Sequence, residues 1–280
     1  MREIKTVNMH TEYDPKSYWE TRLKDGPALN TVGYLGFGLA YNKWLYRMRK
    51  QVLERALRRF PIVSEKTSVF EVAPGSGFYL PIWSSHGVHD LTAADITQAV
   101  VTYLRPLWPD FQFLQADIGT AGPPVSQQFD IVTAFDVLFH IVNEQSWQNA
   151  LTNLCAMVKP GGWLLISDFF LHSTEYGDYN MNARTLRQYA QRMLPSVTIR
   201  ARWPIFVTMT PPLDSSGFER TVLDGVWRGT ERALHAAERG SQLEVAGNLL
   251  GAALYTLDSL LNRVYSEGPG MELMICQKTG

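Results

Sequence analysis

The chain has 280 residues, 45% of them hydrophobic and 19% charged, with a formal net charge of −1, a composition that excludes a disordered chain. The near-neutral balance gives no electrostatic basis for nucleic acid or an anionic membrane surface as the main partner. Two cysteines, Cys155 and Cys276, and no apolar run of about 18 residues predict buried thiols in a soluble, cytoplasmic protein, with no disulfide framework, no metal site and no membrane span.

In chain order, residues 1–13 carry no clear period. Asp14-Pro15 is a helix start, an N-cap side chain followed by proline at the first helical position, so 16–24 reads as a short helix bearing Tyr18 and Trp19. Gly26-Pro27 ends it, and glycines at 33, 36 and 38 mark a loop or hinge. Residues 39–60 form the longest early helix, with Tyr41, Leu45, Met48, Val52, Ala56 and Leu57 at helical spacing. Arg47, Lys50, Arg55, Arg58 and Arg59 take its other faces and read as a solvated surface. From 68 onward strands alternate with helices: strands over 68–72, 90–94, 111–115, 129–135 and 163–167, helices over 78–85, 98–104 and 144–158. Lys159-Pro160-Gly161-Gly162 reads as a helix stop. This alternation predicts an α/β fold with a parallel, doubly wound sheet and right-handed crossovers. Further on come a helix over 184–193, a strand over 196–207 cut by Pro204, two or three helices over 216–265, and a terminal strand over 271–277 that alternates like an edge strand.

The chemistry centres on Val69-Phe70-Glu71-Val72-Ala73-Pro74-Gly75-Ser76-Gly77, where a β-branched run ends in an acidic, small-residue turn. Small residues at 73, 75 and 77 let a ligand lie against the backbone, and Gly75 and Gly77 permit positive φ. A dinucleotide fingerprint needs a third glycine near 80, where Leu80 stands. A P-loop needs Gly-Lys-Ser/Thr, and no lysine lies between Lys66 and Lys159.

What remains resembles the Glu/Asp-x-Gly-x-Gly-x-Gly loop of the class I S-adenosylmethionine-dependent methyltransferases, with Ala73 in place of the first glycine. Four further features fall at the intervals that resemblance demands. Asp95 follows Gly77 by eighteen residues, at the end of the next strand, and Ile96 comes after it. Asp117 and Ile118 end the third strand. Phe129 to Phe135, running into Asp136 and His140, is similar to the fourth-strand motif, and 159–162 leading into Ser167-Asp168 to the fifth. The resemblance implies S-adenosyl-L-methionine as cofactor on a Rossmann-like, seven-stranded, mostly parallel sheet whose last strand is antiparallel. It implies Glu71 behind the loop at the methionyl end, with the backbone at Ala73, Gly75 and Gly77 against the cofactor. Asp95 would accept hydrogen bonds from both ribose hydroxyls, and Asp117 and Ile118 would meet the adenine. Phe135 and Asp136 would stand near the sulfonium, Asp136 either lining the cofactor or capping the next helix. Tyr18 and Trp19 form either a lid, as in several related enzymes, or plain core.

A sulfonium methyl is already activated, so the protein must align nucleophile and methyl and exclude water. A hydroxyl nucleophile also needs its proton removed, which histidine does near neutral pH. His140 lies past the fourth strand and His172 past the fifth, and either serves as the catalytic base on this reading. The Asn-Pro-Pro-Tyr-type motif of adenine and glutamine N-methyltransferases is absent after the fourth strand, and no paired acidic motif suggests a divalent metal. Tyr18-Trp19-Glu20-x-Arg22 and Val32-Gly33-Tyr34-Leu35-Gly36 are similar to bacterial methyltransferases of glycan or secondary-metabolite pathways. The expected activity is O-methylation of a small-molecule acceptor, a saccharide or natural product. N-methylation of an amine or peptide, or cofactor binding without catalysis, is the alternative, and a homodimer is left open. The expected organisation is an N-terminal helical lid (1–60), a cofactor-binding core (61–210), a helical cap insertion (211–267) and a last core strand (268–280).

Overall fold

The computed structural model describes residues 13–194, 196–237 and 240–279. Its elements are α1 (Pro15–Leu23), α2 (Leu29–Val32), α3 (Gly38–Arg59), β1 (Ser68–Val72), α4 (Leu80–Ser85), β2 (Asp90–Asp95), α5 (Gln98–Leu104), β3 (Gln112–Gln115), β4 (Phe129–Phe135), α6 (Glu144–Met157), β5 (Val158–Phe169), β6 (Tyr176–Asp178), β7 (Met181–Ala183), α7 (Leu186–Met193), β8 (Val197–Pro204), α8 (Gly217–Ala236), α9 (Ser241–Leu261) and β9 (Met271–Lys278). Seven strands form one sheet in the order β3-β2-β1-β4-β5-β9-β8. β1 to β5 run parallel, and β9 is antiparallel to both β5 and β8. β1 is buried at every position and β4 at every position but Asp130 because helices cover both faces, the condition under which strands lose the alternation of a half-exposed sheet. The strand order reverses at β1/β4, so the carboxyl ends of these strands open a crevice there.

Three expectations need correction. The terminal strand β9 is interior, with Met271 to Cys276 all buried, and β8 holds the edge instead. Residues 159–162 do not lie between helix and strand: β5 starts at Val158, pairs with Phe129, and bulges before Trp163 meets Ile131. Lys159 fixes the bulge by donating to Asp130 Oδ2 at 2.8 Å and Ser68 Oγ at 3.1 Å. The insertion between β8 and β9 does comprise two helices, but it packs on α3 and lends no residue to the cleft described below.

That packing has specific causes. A Cβ at Gly251 would stand 2.5 Å from Trp44 Cδ1, so only glycine lets α9 close on α3. The Glu244 carboxylate accepts the backbone N–H groups of Leu39 and Ala40, capping α3 from outside its own helix. Buried Asp258 accepts N–H bonds from Val207 and Thr208, and the hydroxyl of Thr208, tying α9 to the turn after β8. α3 is thereby clamped from behind, which fixes its inward face over the crevice.

Candidate active site

β1 delivers the chain to a turn in which Ala73, Gly75 and Gly77 have φ of +52°, +53° and +75°. Glycine takes this left-handed conformation freely, whereas Ala73 holds it at a cost of about 1 kcal/mol. Its N–H donates to Ala94 O at 2.7 Å, which extends the β1–β2 ladder by one residue and holds the strain in place. The turn also delays α4, which starts at Leu80 and not at 78. The glycines have different tasks. Gly75 faces the cleft, while Gly77 does not line it: a Cβ there would lie 2.7 Å from Leu104 Cδ2, so Gly77 serves the packing of α5.

The cleft has two joined chambers, both open to solvent, over the carboxyl ends of β1, β2 and β4. Trp19, Ala73, Ile96, Val137 and His140 line both. Gly75, Asp95, Phe135 and Asp136 belong to the smaller, inner chamber, and Asp117 and Ile118 to the outer one. Asp95 is buried; its Oδ1 accepts from Thr97 N at 2.9 Å and Thr97 Oγ1 at 2.8 Å, so the carboxylate is aimed before any ligand arrives. Burial raises its pKa, and bonds from Thr97 and the Gly75 N–H oppose the rise. Exposed Asp117 accepts from Gly119 N at 2.7 Å through Oδ1, beside buried Ile118.

Asp136, at φ +56°, is a second left-handed non-glycine residue. Its Oδ1 accepts from Ser167 Oγ at 2.7 Å and its Oδ2 forms a short ion pair with Arg49 Nε. Asp136 therefore lines the inner chamber and caps no helix, the 3₁₀ turn that follows having no side-chain cap. His140 lies on that turn, its ring 5.0 Å from Trp19 and 4.3 Å from Phe139. His140 Nδ1 stands 2.8 Å from the carbonyl of Asn180, on the β6–β7 hairpin. A carbonyl can only accept, so Nδ1 carries the proton and Nε2 keeps a free lone pair. Burial depresses this pKa to about 4, which keeps the ring neutral.

Besides Gly77, three of the expected residues do not line the chambers, and of these Glu71 lies behind the loop as the resemblance implies. Glu71 sits one layer behind the loop, 1% exposed, where Trp83 Nε1 donates to its Oε2 at 2.9 Å. Burial pushes its pKa up to about 8, so near neutrality it is a carboxylic acid and not a carboxylate. Tyr18 packs its ring edge-on to Trp19 and accepts from Arg22 at 2.9 Å through its hydroxyl, leaving Trp19 alone of the pair on the cleft. His172 lies outside both chambers. It bridges Asp214, through Nδ1, and Glu267, 2.7 Å from Nε2. Those acceptors, the Asp214 bond foremost, raise its pKa, and neither nitrogen is left to act as a base.

The sequence reading missed Arg49, Tyr46 and Tyr79. Arg49 falls four residues after Leu45 and one after Met48, on the buried face of α3, and its guanidinium lies over the rings of Tyr46 and Phe206 at 4.8 and 4.9 Å. A cation inside an apolar helical stripe was the available signal. Among the described residues no cluster of three or more His, Cys, Asp or Glu is placed to hold a metal ion, and no helix is long and apolar enough to cross a membrane.

Residues 69–162 match a family described as a methyltransferase domain, a stretch that takes in the loop, both aspartates at the ends of β2 and β3, and the β4 edge. That segment is thus similar to methyltransferase domains, in line with the class I S-adenosylmethionine-dependent family that the loop resembles. Demethylmenaquinone methyltransferase of Renibacterium salmoninarum is 30% identical over 134 residues, 48% of this chain and 52% of that one. Methyltransferase str3 of Strobilurus tenacellus is 30% identical over 116 residues, 40% of this chain and 39% of that one. The chain thus spans about half the length, or less, of these curated relatives. A chain in the complex of the Haloferax volcanii Trm112 methyltransferase activator with a candidate methyltransferase superposes with a TM-score of 0.54, over 97% of this chain and 100% of that one, at 14% identity, a likeness of fold alone.

The cofactor of this family is S-adenosyl-L-methionine, and the cleft suits it. A small-residue turn, a pre-aimed buried aspartate and a roomy chamber ending in Asp117 and Ile118 run in sequence along one sheet edge.

Proposed function

We propose that the protein is an O-methyltransferase that moves the methyl group of S-adenosylmethionine to a hydroxyl of a small molecule, a natural product or saccharide, with His140 as the base. The observation that carries this reading is the neutral His140, fixed by the Asn180 carbonyl with Nε2 free, where both chambers meet. The cofactor supplies an activated sulfonium methyl, and the chain's own residues do the rest. Asp95 holds the ribose hydroxyls, while Asp117 and Ile118 hold the adenine. The backbone at Ala73 and Gly75 lies along the methionyl end, with Ile96 and Phe135 packed beside it. Trp19 closes over the junction and excludes water. His140 Nε2 takes the hydroxyl proton as the acceptor oxygen attacks. A neutral ring does this at once, without first losing a proton of its own.

The test is a methyl-transfer assay with S-adenosylmethionine over phenols, sugar alcohols and amines. O-methyl products that disappear in His140→Ala, with cofactor affinity retained, support the reading. Exclusive N-methyl products, or full turnover in His140→Ala, refute it.

A further inference from the structure

Helix α9 is apolar around most of its circumference, a composition that suits a helix covered on every side. One side is accounted for. Gly247 and Gly251 close on Tyr41 and Trp44 of α3, and Asp258, on the same side, is buried. The opposite side is bare. Val245, Leu249, Leu257 and Leu260, with Val264 in the turn just past the helix, are between 41% and 81% exposed. From Val245 to Asn262 the one charged residue is Asp258, and its carboxylate is taken up by Val207 and Thr208. The bare side therefore carries no charge to hold it in water. Binding to an anionic lipid surface needs lysine or arginine beside the apolar stripe, and α9 contains neither.

The stripe also has a symmetry of its own. Its outward positions 245, 249, 253, 256, 260 and 264 follow one another at intervals of 4, 4, 3, 4 and 4, which read the same from either end. A second copy laid antiparallel would set Val245 against the partner subunit's Val264 and Leu249 against the partner subunit's Leu260. Each of these contacts would be made twice across one twofold axis, which makes the face self-complementary. Ala253 and Thr256, small residues at the middle, let the two helix axes approach. At their observed exposures the five apolar residues leave roughly 500 Å² per copy in water, a large patch for a lone chain. Two such faces hide roughly 1,000 Å² between them, and the surrounding rim carries the total into the roughly 1,200–2,000 Å² of a stable interface. We propose that the outward face of α9 is a homodimer interface, two copies packing antiparallel about an axis between residues 253 and 256. The pairing leaves both cleft chambers untouched, since α9 lines neither, and it does not depend on the transferase reading.

Sedimentation equilibrium of the full chain, over about 1 to 100 μM, tests this. The parent should be a dimer at the upper concentrations. Leu249→Lys with Leu260→Lys sets like charges against each other in both contacts and should weaken dimerisation at least about hundredfold. Leu249→Lys with Leu260→Glu introduces as many charges but sets opposite ones across the axis. It should dimerise at least about tenfold more tightly than the lysine pair. The two positions stand eleven residues apart, about 16 Å along one helix, so this rescue cannot arise within a single chain. Both side chains face solvent, and circular dichroism should show a folded protein throughout. Should a charged variant unfold, Leu249→Ala with Leu260→Ala repeats the test and should weaken dimerisation about tenfold or more. A parent that stays monomeric at about 100 μM overturns the proposal, as does a lysine pair that dimerises like the parent. A lysine–glutamate variant no tighter than the lysine pair overturns it too, because the antiparallel register would be wrong. So does flotation of the parent with phosphatidylcholine vesicles that the lysine pair loses, since the face would then meet lipid.

Discussion

Glu71 offers a test of the electrostatics behind the loop, through the substitution Glu71→Gln. Its carboxyl is 1% exposed, receives one hydrogen bond, from Trp83, and has its pKa raised from 4.5 to about 8 by burial. In the unfolded chain the group ionises near its ordinary value, so between the two values the unfolded state gains a charge that the folded state does not. The sign follows: the contribution of Glu71 to stability is fully present below about pH 4.5 and is lost as pH rises toward 8. At about 1.36 kcal/mol per pH unit, the loss between pH 5 and pH 7 is about 3 kcal/mol. Glutamine is neutral in both states and can still accept from Trp83, so it removes this pH dependence while keeping the shape. Urea unfolding of both proteins at pH 5, 6, 7 and 8 measures the difference directly, and subtraction cancels the other titrating groups. Glu71→Gln should gain on the parent by about 3 kcal/mol from pH 5 to 7, or about 6–12 °C in melting temperature at 2–4 °C per kcal/mol. A difference that stays flat over this range would show that Glu71 is ionised in the folded protein, and the burial argument would be wrong.

Three further outcomes are expected. His140→Ala should lower kcat by about 10²- to 10⁴-fold with cofactor affinity preserved. Because the folded pKa of His140 is about 4, kcat/KM should show its acid limb near pH 4 and none near 6.5. Ala73→Gly relieves a φ of +52° and should stabilise the protein by about 0.5 kcal/mol in denaturant titrations, the released strain outweighing the added freedom of the unfolded chain. His172→Gln should leave S-adenosylhomocysteine affinity within twofold, since His172 bridges Asp214 and Glu267 outside the cleft. With its pKa raised by those acceptors, the stability His172 supplies is full below its ordinary value and fades as pH rises through the shifted one, so parent and variant melts should converge at alkaline pH.

The sheet was legible because its strands are doubly covered: Phe129 to Phe135 is apolar or small at nearly every position, and such runs have few other homes. The ends of β1, β2 and β3 could be found because a turn, two aspartates and their intervals are local features of the chain. What was hidden depends on contacts between distant segments. β9 reads like an edge strand because alternation says nothing about a neighbour, β8, from which two helices separate it along the chain. The short β6–β7 hairpin, with exposed Tyr176 to Asp178, carries too little hydrophobic pattern to announce itself, yet it supplies the carbonyl that sets the His140 tautomer. Arg49 escaped because a cation on a helix usually signals solvent, and only the tertiary fold puts Asp136 beside it. Gly77 and His172 show the converse: residues at the expected intervals whose neighbours, Leu104 and Asp214, give them structural tasks.

The central claim is that one cleft, from the Ala73–Gly77 turn through Asp95 to Asp117, holds the adenosyl cofactor. Calorimetric titration with S-adenosylhomocysteine tests it most directly, comparing the parent protein with Asp95→Ala. One molecule should bind per chain, at least tenfold more weakly in the variant. No binding heat to the folded parent at millimolar ligand, or equal affinity in both proteins, would contradict it.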